Sequence, residues 1–177
     1  MKIVKYKTQG AFIILAAVSL WNSNVNAAIR AVSCSGEITS NLQSAINSSV
    51  DGDIVNVGAG SCSAGGVSWS NKNITVIGQG IGVTNVSGLS FKVTDTTKAA
   101  FRISGMSVGA ASPWTIDSVG VKTGIKGWRI DHIAWSYPSC GQNIALYVNG
   151  INWGLVDHST FKNAGNAIFL RAWAEGT

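Results

Sequence analysis

Trp128-Arg129-Ile130-Asp131-His132-Ile133 is the stretch that decides the fold, because the chain writes it more than once. Gly154-Leu155-Val156-Asp157-His158-Ser159 is the second copy, with Val156 26 residues after Ile130. A step of 27 upstream lands on Ile103 in Phe101-Arg102-Ile103-Ser104-Gly105-Met106. Another 27 lands on Val76 in Asn73-Ile74-Thr75-Val76-Ile77-Gly78. A shorter step of 21 reaches Val55 in Asp53-Ile54-Val55-Asn56-Val57. An apolar, β-favouring residue therefore recurs at 55, 76, 103, 130 and 156, and most copies carry Gly or His two residues later. A recurring step of this size marks a stacked repeat array. The uneven steps fit a solenoid whose core positions are fixed and whose loops vary.

The geometry follows from the period. A repeat of this length with several short strands cannot bury its apolar side alone. Coiling sets each copy one strand spacing, about 4.8 Å, above the last. Ile103, Ile130 and Val156 then form one inner column, and Phe101 and Trp128 begin a second. Val108, Trp135 and Phe161 make a third on the next short strand. Strands joined this way run parallel, and crossover connections are right-handed. The expected fold is all-β: a right-handed, single-stranded parallel β-helix with a short N-terminal capping α-helix.

Residues 1–27 read as a signal peptide rather than as part of that fold. Lys2, Lys5 and Lys7 precede an apolar run over 11–21, and Val25-Asn26-Ala27 supplies small residues for cleavage. The run is shorter than the roughly 20 apolar residues a bilayer span needs. The whole chain has 13 Lys and Arg against 8 Asp and Glu. Removing three lysines leaves 10 against 8, or +2. With no basic stripe and interleaved aromatics, nucleic acid is rejected as the main partner. Three cysteines fit an oxidising compartment. A Cys34–Cys62 disulfide is favoured over a metal site, because no C-x-x-C pair occurs. Cys140 is left over.

Residues 28–52 read as a lead-in followed by the capping helix. Ser40-Asn41-Leu42-Gln43 has the pattern of a capping box, and Leu42, Ala45 and Ile46 share one face. Rungs are expected over 53–177, with 110–118 as a loop around Pro113 and 137–142 as an insertion carrying Cys140. A second track would stack Val121 on Val148, with Ile168 to Leu170 opening the next rung. The sequence stops partway through a rung, which reads as the front part of a longer protein.

Three stretches resemble the pectate-lyase-like superfamily of right-handed parallel β-helices. Leu42-Gln43-Ser44-Ala45-Ile46 through Gly58-Ala59-Gly60 resembles its capping helix and first rung. Asn73-Ile74-Thr75-Val76-Ile77-Gly78 resembles its second rung, and Ile130-Asp131-His132 and Val156-Asp157-His158-Ser159-Thr160-Phe161 resemble its rung text. The resemblance implies a secreted, extracellular protein that meets a polysaccharide or cell-surface glycan. One reading is a polysaccharide lyase acting on acidic glycans. The alternative is a non-catalytic, adhesin-type surface module. The R-x-P-x-x-R segment of the family's pectate lyases is missing, as are the paired aspartates and G-H-G of its hydrolases. No catalytic residue therefore carries over.

The candidate site residues come from strand alternation. With Ile130 and Val156 inward, Asp131 and Asp157 point outward one rung apart, with Ser104 and Thr75 in line below. Arg102 and Arg129 share that outer face. One reading is a polar stripe in which Asp131 and Asp157 hold calcium and the arginines pair with a uronate carboxylate. The structural alternative has Arg129 or turn backbone N–H groups relieving the stacked acids, with His132 and His158 at a corner where other rungs have Gly78 and Gly105. Trp114 and Trp153, near loops, are candidate platforms for sugar rings, whereas Trp128 and Trp135 belong to the core. A monomer without a transmembrane segment after signal cleavage is expected.

Overall fold

The structure is a computed structural model and describes residues 27–94, 100–109, 112–118, 125–150 and 152–171. The signal peptide expected over residues 1–27 lies outside them apart from Ala27, as does Val121. Among the described residues no helix is long and apolar enough to cross a membrane.

The chain coils into a parallel β-solenoid of five strand turns, set on a first turn completed by a helix. Each turn visits three faces. The first face stacks β1 (Ile29–Val32), β3 (Ile54–Val57), β6 (Thr75–Ile77), the start of β9 (Arg102–Gly109), the start of β11 (Ile125–Ser136) and β13 (Asn152–Asp157). The second stacks β2 (Gly36–Glu37), β4 (Gly60–Ser63), β7 (Thr84–Ser87), the ends of β9 and β11, and β14 (Thr160–Lys162). The third stacks β5 (Gly66–Ser70), β8 (Ser90–Thr94), β10 (Trp114–Ser118), β12 (Ile144–Gly150) and β15 (Asn166–Arg171) beneath α1 (Thr39–Ser48). Because β9 and β11 run unbroken around the first corner, the first two faces form one ten-stranded sheet.

The inner columns match the recurrence in the sequence. Val55, Val76, Ile103 and Ile130 stand in register and are fully buried, and Val156 packs half-buried on top. Burial of each such side chain contributes about 1.5–3 kcal/mol. Phe101 and Trp128 stack with centroids 6.2 Å apart and planes 12° from parallel. The next step of that column is Gly154, and a Cβ there would sit 2.0 Å from the Trp128 ring. Trp135 stacks on Phe161 at 4.7 Å and 6°, over Val108, Val86 and Cys62. Cys34 and Cys62 form the expected disulfide, tying the first turn to the second.

Several expectations are corrected. The lead-in is no free segment: β1 and β2 already pair with β3 and β4. The helix begins two residues earlier than the capping box implies, and its N-cap, Ile38 rather than Ser40, makes no side-chain cap bond. Gln43 does something else, described below. Residues 114–118 are strand rather than loop, since Pro113 precedes the strand and leaves its ladder intact. The residue stacked on Val148 is therefore Ile116, within a column of Trp69, Val93, Ile116, Val148 and Leu170. Ile77, not Thr75, lies in line with Ser104, because Thr75 pairs with Arg102.

Candidate functional site

Register brings Arg102 beside Arg129, and Ser104, Asp131 and Asp157 into one outer column. Each arginine reaches across to the aspartate one turn further on. Arg102 donates from Nε to Asp131 Oδ1 at 2.7 Å and from Nη2 to Oδ2 at 2.6 Å. Arg129 repeats this on Asp157, at 3.1 Å and 2.7 Å. The planar fork of a guanidinium matches two carboxylate oxygens, which makes such pairs charge-assisted and directional. Ser104 Oγ also donates to Asp131 Oδ2 at 3.1 Å. Asp131 faces outward from the coil as expected, yet it is fully covered by these partners.

The electrostatics follow from the contacts. The two Arg102 bonds hold the Asp131 carboxyl far below the usual carboxylate range, against burial, which pushes it up; His132 and Ser104 lower it further. Arg129 lowers Asp157 in the same way, with burial opposing and His158 helping. The carboxylate oxygens on which calcium was expected are thus engaged by side chains of the coil. Among the described residues no group of three or more His, Cys, Asp or Glu is arranged to hold a metal.

His132 and His158 sit at the corner, as the alignment with Gly105 implies. Their φ values are +53° and +47°, in the left-handed region that Gly105 also occupies at +72°. For a side chain other than Gly that conformation is uncommon, though His is among the residues enriched there. Each ring places Nδ1 on its own aspartate, at 2.8 Å for His132 and 3.0 Å for His158. The rings lie parallel, 2° apart in tilt, with centroids separated by 4.9 Å.

A different surface gathers hydroxyl, amide, ammonium and aromatic side chains. On the outside of the third face, Ser68, Lys92, Thr115, Tyr147 and Phe169 stand in register. Tyr147 and Phe169 stack at 5.2 Å and 13°. Toward α1 this column opens into a cleft of about 750 Å³ lined by Gln43, Asn47, Ser68, Trp69, Ser70, Lys72, Lys92 and Thr94. Two side chains build its wall. Gln43 accepts from Ser68 N and donates to Ser68 O, both at 2.8 Å, so its amide replaces a neighbouring strand on the edge of β5. Lys72 Nζ binds the Ile46 and Asn47 carbonyls at 2.8 and 2.7 Å, covering the negative end of the helix. The Lys92 side chain is exposed beside them.

The two candidate platforms part company. Trp114 is corrected: its ring is buried, stands edge-on to Phe91 and Trp135, and donates Nε1–H to Leu89 O at 2.9 Å. Reading 110–118 as loop hid the alternation that turns Trp114 and Ile116 inward. Trp153 is 63 % exposed on β13, on the same outer face as Leu155 and Asp157. The cleft and the Tyr147–Phe169 stack were missed. A signal for the stack was present in the alternation of Leu146-Tyr147-Val148, which turns Tyr147 outward. The cleft needs the three-dimensional placement of α1.

Comparison of the chain with family models, curated proteins and solved structures returns no match. What is shown is the parallel β-solenoid itself, and no comparison ties it to the pectate-lyase-like superfamily.

Proposed function

We propose that this chain is an exported β-solenoid that binds an extended acidic glycan along the outside of its third face, without cleaving it. The carrying observation is the in-register column Ser68, Lys92, Thr115, Tyr147 and Phe169, with the cleft at one end and the aromatic stack at the other. Rungs about 4.8 Å apart offer one outward side chain per step, close to the length of one sugar residue. Hydroxyls and amides exchange hydrogen bonds with sugar hydroxyls, and aromatic faces cover the apolar side of a ring. Lys92 supplies the cation for a uronate or other acidic substituent. The disulfide fits an extracellular setting.

Binding is favoured over the lyase reading by the state of the arginines. A lyase needs a basic group free to take a proton. Arg102 and Arg129 are each committed to a carboxylate through two bonds. Calcium is not part of the proposal, because Asp131 and Asp157 are committed likewise. The outer edges of Arg102 and Arg129, with Trp153, are a secondary contact surface on the first face.

The test is retention of the mature protein on immobilised polygalacturonate and alginate, with a neutral glucan as reference, while ultraviolet absorbance follows unsaturated products. Retention on the acidic polymers is expected, weakened by Lys92→Ala and by Tyr147→Ala, with no product formed. Retention unchanged in both variants would remove the third face as the site. Absorbance growth that needs Arg102 or Arg129 would restore the lyase.

A further inference from the structure

We propose that Asp53 is a docking site for the chain's own new terminus: once residues 1–27 are removed, the α-ammonium of Ala28 pairs with the buried Asp53 carboxylate and fastens the first turn of the coil. The inference rests on the export and signal-peptide reading. It concerns the first face, not the third.

The receiving group is already built. Asp53 stands at the entry to β3, with its side chain 2 % exposed. Its two oxygens are used unequally. Oδ2 accepts from Val50 N at 3.0 Å and from Arg30 Nε and Nη2 at 3.2 and 3.0 Å. Among the described residues, Oδ1 accepts from Ala28 N alone, at 2.9 Å. Ala28 is held from its other side too, since its carbonyl accepts from Ile54 N at 2.9 Å, where the ladder between β1 and β3 begins. The sheet therefore places the nitrogen before any charge appears on it.

The peptide bond in front of that nitrogen is open. Ala27 and Ala28 are both exposed, and both precede β1. Hydrolysis there consumes one water: the carboxylate leaves on Ala27, and the amine on Ala28 is protonated at neutral pH. An amide N–H facing Asp53 becomes an ammonium in place, and the bond gains charge on its donor side. The sequence also permits a cut one residue later, after the equally small Ala28. That cut would take away the donor to Oδ1. The geometry thus separates two adjacent cleavage sites that the sequence leaves alike.

The charges favour an ammonium here. Arg30 on β1 is the cation that bonds Asp53. Asp51, on the same loop, is a second acid and accepts from Asn73 N at 3.1 Å. Lys72 is turned instead to the carbonyls at the end of α1. Two acids against one guanidinium leave a negative charge for the terminus to match. The backbone N–H groups of Val50 and Ala28 hold the Asp53 carboxyl below its ordinary range, against burial and with help from Arg30, so it is charged at neutral pH.

The experiment compares the chain begun at Ala28 with the same chain carrying Gly-Ser ahead of Ala28, both released from a cleavable fusion. Nuclear magnetic resonance of the carbon-13-labelled terminal residue titrates each amine. The extended chain should titrate at the ordinary value, about 7.7–8.0. The Ala28 amine should titrate about one unit higher, equal to about a tenfold gain in the folding constant. A group whose pKa is raised on folding contributes fully below its unfolded value and loses that contribution as pH rises through the folded one. The chain begun at Ala28 should therefore have the higher urea midpoint at pH 7, and the gap should close between about pH 8 and 10. Asp53→Asn, made in both chains, should abolish the raised titration and the pH-dependent gap. The titration of the unsubstituted pair is decisive even where that variant does not fold. An Ala28 amine at the ordinary value, or a gap independent of pH, would overturn the docking. Mass spectrometry of the chain expressed from Met1 in a secretion-competent host should find Ala28 first. A start at Ile29 would overturn this site alone, whereas a chain that keeps residues 1–27 would overturn the export reading with it.

Discussion

Asp131→Asn is the substitution that most directly tests how the outer ladder is held. Asp131 is covered, accepts two bonds from Arg102 and one from Ser104, and supports His132. Asn keeps the shape but loses the charge and turns one acceptor oxygen into a donor facing donors. Removing one partner of a buried ion pair costs about 3–5 kcal/mol when the other charge stays buried. Here the Arg102 side chain is 41 % exposed and can turn to water, so the cost falls to about 2–3 kcal/mol, a figure set by lost charge-assisted bonds. For a domain of this size that is a drop in Tm of about 4–12 °C. Thermal unfolding followed by far-ultraviolet circular dichroism at pH 7 measures it. The pH dependence gives a second arm. Because folding depresses the Asp131 pKa, its contribution is complete above the unfolded carboxylate value, about 4, and drains away as pH falls below it. The gap between parent and variant should therefore be widest at pH 7 and narrow below about pH 4. Co-melting of the two proteins at pH 7, or a gap that widens in acid, would refute the ladder as a source of stability. Asp157→Asn should be milder, since Asp157 is partly exposed.

Reducing the Cys34–Cys62 bridge, which closes 28 residues, should lower stability by about 3.5 kcal/mol and shift the urea midpoint in dithiothreitol. At the left-handed corner, His132→Ala should be less stable than His132→Asn by about 1 kcal/mol, read from the same urea curves. Trp114→Ala should cost about 3–5 kcal/mol, with loss of near-ultraviolet circular dichroism and no selective effect on glycan retention. A stable Trp114→Ala protein with weakened retention would return that residue to the binding surface.

The coil was legible because its evidence is periodic. A buried column demands the same apolar type at the same phase in every turn, so Val76, Ile103, Ile130 and Val156 announce each other across the sequence. The corner was legible for a related reason: Gly105, His132 and His158 align as residues able to turn left-handed. Face three was harder. Its strands begin after loops of unequal length, so no fixed step finds them, and Pro113 disguised the start of β10. The Arg–Asp pairing was half visible. Arg and Asp were seen on one outer face, but reading their partnership requires knowing that Arg102 bonds the next turn's acid rather than its own neighbour. The cleft was invisible, because Gln43 and Lys72 lie far from β8 in sequence and meet it only through the placement of α1.

The one-turn reach of the arginines gives the stack a direction that its strand register lacks. Ile103, Ile130 and Val156 are interchangeable as places to splice the chain, since joining Arg102 to Ile130, or Arg129 to Val156, restores the same local text. The two excisions are not equivalent. Cutting out residues 103–129 sets Asp131 above a turn that has Thr75 where Arg102 stood, so the carboxylate loses both bonds from below and keeps only the longer same-turn contact, 3.6 Å from Arg129 in the parent, whose place Arg102 now takes. Cutting out residues 130–155 delivers Asp157 to Arg102 and frees only Arg129, a cation that water can solvate. A shortened protein should therefore tolerate the second excision better than the first.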